Sequence, residues 1–317
     1  NSFTAEKQLD KYWAEFVDNI DESIMTEGRL TRQLMTAPFV PIIKLWIAYH
    51  EAIDYRGSHK ADFDHSEIYY PLLNSTAPDG LSESDWALLQ HFAPILVQET
   101  QPDAKYHQRA DRFGEISLTG DTLAEATPVV NIGKPAVYAY VDEKSVQGVN
   151  TKQLVYAFWY TEHPELSNID FEAGPMEGWS LRISLNQANE PLIFESVSNC
   201  GCYYKVFPTD TLETMSREAY AGKLENKNFY IENHLEEKYD AIVPEVISGI
   251  TMKPQNIALY YSSGHHQLLT ISPASKLKTA QPGDKKNYAL HAYQELENLP
   301  FKDGYASLFD TDGLVRG

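Results

Sequence analysis

Trp179-Ser-Leu-Arg-Ile-Ser-Leu185, Asn186-Gln-Ala-Asn-Glu-Pro191 and Leu192-Ile-Phe-Glu-Ser-Val197 form the stretch that decides the fold. Trp179, Leu181, Ile183 and Leu185 alternate with Ser180, Arg182 and Ser184, the period-two pattern of a strand with one buried face. Asn186 to Pro191 is built from turn-forming residues, and Leu192 to Val197 brings the chain back, so the stretch predicts a β-hairpin. The hairpin runs out into Ser198-Asn-Cys-Gly-Cys-Tyr-Tyr-Lys-Val-Phe-Pro208, which carries both cysteines of the protein.

Working outward, Val137 to Val141 and Leu154 to Tyr160 are rich in valine and aromatic residues and read as two more strands. Ile257 to Tyr261, the turn Ser262-Ser-Gly264 and His265 to Ile271 read as a second hairpin. Thr211 to Tyr239, between the hairpins, reads as short helices and loops. Upstream the period changes to that of helices. Leu9, Tyr12, Phe16 and Ile20 share one face, Ile24 to Met35 forms a second helix, and a third starts near Pro41. Leu81 to Phe92 has a helix start at Ser82 with Asp85 three residues on, and Pro94 ends it. Ile95-Leu-Val97 then opens the first strand. The expectation is an α+β protein, with a mainly helical region over 1–128 and a mostly antiparallel β region over 129–317. The sheet would form a sandwich or open barrel within one compact unit.

Forty-five acidic residues against 26 basic ones give a formal charge of −19 over 317 residues. Such a surface repels phosphate backbones and anionic lipid, which argues against nucleic acid and peripheral membrane binding. Cations, sugars and peptides are the easier partners. The longest apolar run, Phe39 to Tyr49, falls short of the ~20 residues a membrane helix needs and contains a proline and a lysine. No transmembrane segment is expected. The chain starts at Asn1 without a leader, which fits a secreted or periplasmic protein, envelope-attached in one version, or simply a chain trimmed at its start. The ending after Asp310-Thr-Asp-Gly313 suggests a longer precursor.

Two cysteines exclude a multi-disulfide scaffold. Separated by one glycine, Cys200 and Cys202 can turn to the same side and ligate a soft metal, copper or zinc. They make half a site. Candidate completions are His265 as a third ligand, with Glu195 as general base and His266 as proton carrier or ligand. The commoner role of an isolated Cys-x-Cys is a small buried hydrophobe beside a turn. Adjacent strand residues point to opposite faces, so His265 and His266 would not both reach one ion.

Other clusters are weaker. Tyr160-Thr-Glu-His-Pro-Glu165, with Asp170, Glu172 and Glu177, could supply a glycosidase-type acid/base pair, although carboxylates cluster by chance in so acidic a chain. Tyr106 to Gly114, an Arg–Asp neighbourhood with a histidine, reads as an Arg–carboxylate brace holding a loop, with substrate anchoring as the other option. Asp54 to Glu67 is a solvated loop with histidines and carboxylates. Asp310-Thr-Asp-Gly313 begins like a calcium loop but lacks the remaining ligands.

Gly178-Trp-Ser-Leu-Arg-Ile-Ser-Leu185, Cys200-Gly-Cys-Tyr203 and Phe207-Pro208 together resemble a group of uncharacterised proteins of Gram-negative bacteria. Gly133-Lys-Pro135, Tyr293-Gln-Glu-Leu296, Leu299-Pro300, Ser307-Leu-Phe309 and Asp312-Gly-Leu-Val315 fit the same pattern, over the last two thirds of the chain. The resemblance implies no activity. In that pattern histidines flank the cysteine pair, where this chain has Ser198 and Tyr204.

Three functional readings follow. The first is an envelope or secreted metal-dependent enzyme centred on Cys200 and Cys202. The second is a non-catalytic envelope binding or assembly protein that offers Tyr138, Tyr140, Trp159 and Trp179 to a sugar, peptide or protein. The third is a redox role in which Cys200 and Cys202 cycle between dithiol and strained disulfide.

Overall fold

The computed structural model describes residues 65–73, 76–100, 108–146, 149–166, 173–199, 203–220, 224, 227–233, 242–249, 257–277, 285–310 and 315–316. Ten strands form one sheet: β1 (Ser66–Leu72), β2 (Ile95–Glu99), β5 (Ala136–Val146), β6 (Val149–Trp159), β9 (Gly178–Leu185), β10 (Pro191–Ser198), β11 (Lys205–Pro208), β12 (Ile257–Tyr261), β13 (Leu268–Pro273) and β14 (Lys285–Ala292). Three strand pairs lie outside it, β3 (Glu115–Thr119) with β4 (Thr127–Asn131), β7 (Glu162–His163) with β8 (Gly174–Pro175), and β15 (Leu299–Phe301) with β16 (Gly304–Ala306). Among the described residues there are two α-helices, α1 (Glu83–Phe92) and α2 (Asp210–Tyr220).

The sheet order is β11-β10-β9-β6-β5-β14-β1-β2-β12-β13. Pairings β1–β14, β14–β5 and β12–β2 are parallel and the remaining ones antiparallel. The strands β5 to β11 pair with chain neighbours. Strand β14, from near the end of the described chain, sits between β5 and β1 and joins that block to the rest.

The hairpin of residues 179–197 is β9 and β10, with Phe194 opposite Ile183 and Glu195 opposite Arg182. Its inner face supplies Trp179, Leu181, Ile183, Leu185 and Phe194 to the main core. Facing residues arrive from the far strands, among them Leu259 and Tyr261 of β12 and Leu268 of β13, so the sheet curls round a common interior. Helix α1 caps one side of that interior with Trp86, Leu89 and Phe92. It is anchored by Tyr156 donating to the Leu89 carbonyl at 2.9 Å and by Lys152 on Asp85 at 2.6 Å. Ser82 caps it as expected, accepting from the Asp85 amide at 3.1 Å. The outer face is covered by β3, β4, β15 and β16 over Ala136, Tyr138 and Trp159. Helix α2 contributes Leu212 to a second patch over Ile193 and Val206.

The two ends of the sheet, β11 and β13, meet through a strap, residues 242–249. Ile242 bridges to Lys205 of β11 and Ile247 to Thr209 just after it. On the other side the Glu245 carboxylate accepts from the Ile271 amide at 3.3 Å and from the Thr270 hydroxyl. The Lys205 ammonium, buried in the seam, donates to the Leu268 carbonyl at 3.1 Å and to Gln267 at 3.0 Å. Side chains thus take the place of backbone ladder bonds that a continuous strand would supply.

This architecture corrects the α+β expectation. Strands begin at Ser66, long before residue 129, and β dominates the described chain. The sheet is mixed, because β14 inserts in parallel between two strands far from it in sequence, a pairing no local pattern reveals. The helices expected before residue 54, and the loop from Asp54 up to residue 64, lie outside the described residues. No helix among the described residues is long and apolar enough to cross a membrane.

Candidate functional site

Away from α1, where β2, β6, β9 and β12 run into loops, the inner face ends in buried polar groups rather than apolar ones. His266 is at their centre, with no exposed surface. The turn after β12 delivers it. Gly264 takes a positive φ of 75°, and His266 itself sits at φ 48°, the left-handed region that side chains other than glycine seldom occupy. That conformation holds the imidazole flat on the Tyr160 ring, with centroids 3.8 Å apart and planes 9° from parallel. The Tyr160 hydroxyl donates to Gln98 Oε1 at 2.5 Å, and Gln98 donates back to the Ser262 carbonyl of the same turn at 2.9 Å.

Both imidazole nitrogens face carboxylates. Nδ1 lies 2.6 Å from Glu177 Oε2 and Nε2 lies 3.2 Å from Asp111 Oδ1. Asp111 also accepts from the Ser263 hydroxyl at 2.9 Å and the Gly264 amide at 2.8 Å. Glu99, at the end of β2, accepts from the Ser263 amide at 3.2 Å. The turn over 262–266 is therefore clamped by carboxylates on three sides. Glu177 Oε2 is shared with a second imidazole, His163, whose Nδ1 is 3.2 Å away, and Glu177 Oε1 accepts from the Trp179 indole at 3.3 Å. His265, exposed to solvent, places its ring 5.7 Å from that of His163.

A file of ionisable groups thus leads inward: His265, His163, Glu177, His266, Asp111. Burial works against the Glu177 charge, but hydrogen bonds from His163 and His266 outweigh it and hold the carboxyl below its usual range. Burial also opposes the His266 cation, yet its bonds to Asp111 and Glu177 prevail and raise the imidazole above its usual value. Burial pushes the Tyr160 hydroxyl well up, so it stays a neutral donor. With both nitrogens engaged by anions, protonated His266 donates from each and offers no lone pair to a metal or substrate.

The backbone around Glu177 is equally determined. A Cβ at Gly178 would lie 1.6 Å from Asn199 Nδ2 and 2.6 Å from Trp159 Nε1, so only glycine lets β9 and the exit of β10 approach here. Arg112 on Glu67 at 2.9 Å ties the 108–113 segment to β1 and so places Asp111. The brace expected around Arg109 to Arg112 exists, with Glu67 as its carboxylate.

The sequence-predicted residues are distributed unevenly. His265 and His266 both belong to this end of the interior, one exposed and one buried. Glu195 does not. It projects from the outer face of β10, on the side of Val206 and Ile193, where it accepts from Tyr204 at 2.7 Å and Gln153 at 3.3 Å. Cys200 and Cys202 lie outside the described residues. Their described neighbours flank the site: Asn199 against Gly178, and Tyr203 with its ring 6.3 Å from Trp179 and 6.4 Å from His265. Among the described residues no group of three or more His, Cys, Asp or Glu is placed to hold a metal ion. Tyr138, Trp159 and Trp179 are core residues rather than a ligand platform, at 2%, 1% and 0% exposure, and Tyr140 packs on Tyr293 at 5.2 Å. Aromatic side chains at these positions fill the interior because their strands are covered on both faces. Of the carboxylates after Tyr160, Glu177 joins the cluster, Glu162 pairs with Arg109 at 3.6 Å on the surface, and Asp170 and Glu172 lie outside the described residues.

Comparison of the chain with protein-family models, with curated proteins and with solved structures finds no match.

Proposed function

We propose that this end of the barrel is a general acid–base centre, and that the protein is an enzyme whose proton-transferring group is His163. The carrying observation is the shared carboxylate: Glu177 Oε2 contacts Nδ1 of both His163 and His266. A carboxylate on Nδ1 fixes an imidazole's orientation and tautomer and strengthens Nε2 as a base. Asp111 and His266 act behind Glu177. The imidazolium compensates Glu177, while Asp111 keeps that imidazolium charged and in place. His265 is the solvent-side partner through which protons are exchanged. In this reading Glu177, His266 and Asp111 are positioning residues. The acidic composition favours uncharged or cationic substrates, and a location in the cell envelope or outside the cell is part of the proposal.

The test is a panel of chromogenic esters, glycosides and anilides, assayed with wild type, His163→Asn and Glu177→Gln. A turnover that falls about 100-fold or more in His163→Asn, with the fold intact by circular dichroism, is the expected result. Turnover indifferent to both substitutions would sink it.

One observation keeps the soft-metal reading of Cys200, Cys202 and His265 as a second possibility: Tyr203, next to Cys202, lies beside His265. Elemental analysis of wild type and Cys200→Ser separates the two readings, since stoichiometric copper or zinc lost on substitution belongs only to the second.

A further inference from the structure

On the other face of the sheet, Glu195 is a second buried acid that the acid–base centre does not use. Its side chain links three segments of the sheet, reaching past β9 to β6 on one side and to the approach to β11 on the other. It leaves β10 with 1% of its surface exposed, accepts from Gln153 of β6 at 3.3 Å, and accepts from Tyr204, just before β11, at 2.7 Å. Tyr204 is also where the strap docks: its carbonyl accepts from the Ile242 amide at 3.1 Å, and the Ile242 carbonyl accepts from the Val206 amide at 2.9 Å. A change in the Glu195 carboxyl is therefore one side chain away from the bonds that hold the strap to β11.

We propose that Glu195 and Tyr204 form a proton switch that sets how firmly the strap over 242–249 closes the barrel. The groups facing Glu195 decide its chemistry. Tyr204 and Gln153 are neutral donors, Arg182 is its register partner on β9, and Lys144 of β5 lies on the same face. Desolvation outweighs these, and the carboxyl is pushed up to about 7. The phenol is itself raised by burial and by Glu195, so it remains protonated throughout. Below neutral pH the acid is uncharged and sits in its dry position at little cost. Above neutral pH the carboxylate seeks water, and the way to admit it is to displace Tyr204 and, with it, the Ile242 bonds.

Two measurements test this. Infrared difference spectra of wild type between pH 5.5 and 8.5 should show one buried protonated-carboxyl band lost near neutrality. Absence of any such band overturns the proposal without recourse to a variant. Hydrogen exchange of the 242–249 amides, corrected for intrinsic rate, should lose about tenfold protection over the same range, and this loss should vanish in Glu195→Gln. Tyr204→Phe, which keeps the acid but severs its link to the strap, should also abolish it. An equal pH dependence in wild type and both variants would overturn the coupling. None of these readouts involves turnover, so they stand apart from the test of His163.

Discussion

Glu177 and Glu195 are two glutamates withdrawn from solvent at neighbouring strands, and their carboxyls end on opposite sides of the ordinary value. Glu177, just before β9, has imidazoles on its oxygens and ends below the usual carboxylate range. Glu195, on β10, has a phenol and an amide as direct partners and ends near 7. Desolvation is the largest influence on both. What separates them is that imidazoles bring both hydrogen bonds and charge onto Glu177, whereas the Arg182 and Lys144 charges near Glu195 do not offset its desolvation. Inside a barrel, a neutral donor satisfies geometry but leaves most of the charge cost standing.

The comparison breaks most severely at Asp111. Asp111→Ala removes the second anion from His266 and strands the Gly264 amide and Ser263 hydroxyl, so it should destabilise the fold by about 3–5 kcal/mol, read by urea denaturation. A loss under about 1 kcal/mol would mean that Glu177 alone supports the imidazolium.

A smaller effect distinguishes the two glutamates by pH. The Glu195 carboxyl rises from 4.5 to about 7 on folding, so its contribution is fully present below pH 4.5 and declines as pH climbs to 7. The decline amounts to about 3 kcal/mol at most. Glu195→Gln should therefore abolish that slope. His266 is raised above 6.5, so its stabilisation is present below 6.5 and fades as pH passes its elevated value. Glu177 is lowered below 4.5, so its stabilisation is present above 4.5 and disappears as pH falls through the depressed value. Thermal stability should peak between pH 4.5 and 6.5, and Glu177→Gln should cut away the fall on the acid side. A stability maximum above pH 8 would contradict both assignments.

The smallest effect is a control far from either acid. Ser82→Ala removes the cap of α1 and should cost about 1 kcal/mol with no change in pH profile.

Local patterns carried the hairpins, the α1 cap and the core identity of the β9 residues, because each depends on neighbours a few positions apart. The period of Trp179 to Leu185 was enough to orient that strand. The mixed sheet was not legible, since β14 pairs with β1 and β5 across more than a hundred residues. The candidate site was legible only in pieces. His266, the Glu177 neighbourhood and the Asp111 loop each stand out in the sequence only as separate segments. Their convergence depends on three loop ends meeting, and no spacing encodes that. Glu195 parts from the histidines for a related reason: proximity in sequence says nothing about which face of β10 a side chain takes, whereas its parity with Ile193 does.

The position of β14 has a consequence for how the protein is made. As the chain emerges from the ribosome, β5 to β11 can assemble from hairpins while β1 and β2 wait beside them. Until residues 285–292 have been synthesised, β1 and β5 each present an unpaired edge, the kind of template on which nascent chains join one another. A copy halted before Lys285 would hold two half-sheets joined only at the seam between β11 and β13, with both inner edges open, which makes the interval before β14 is translated the most hazardous in the protein's life.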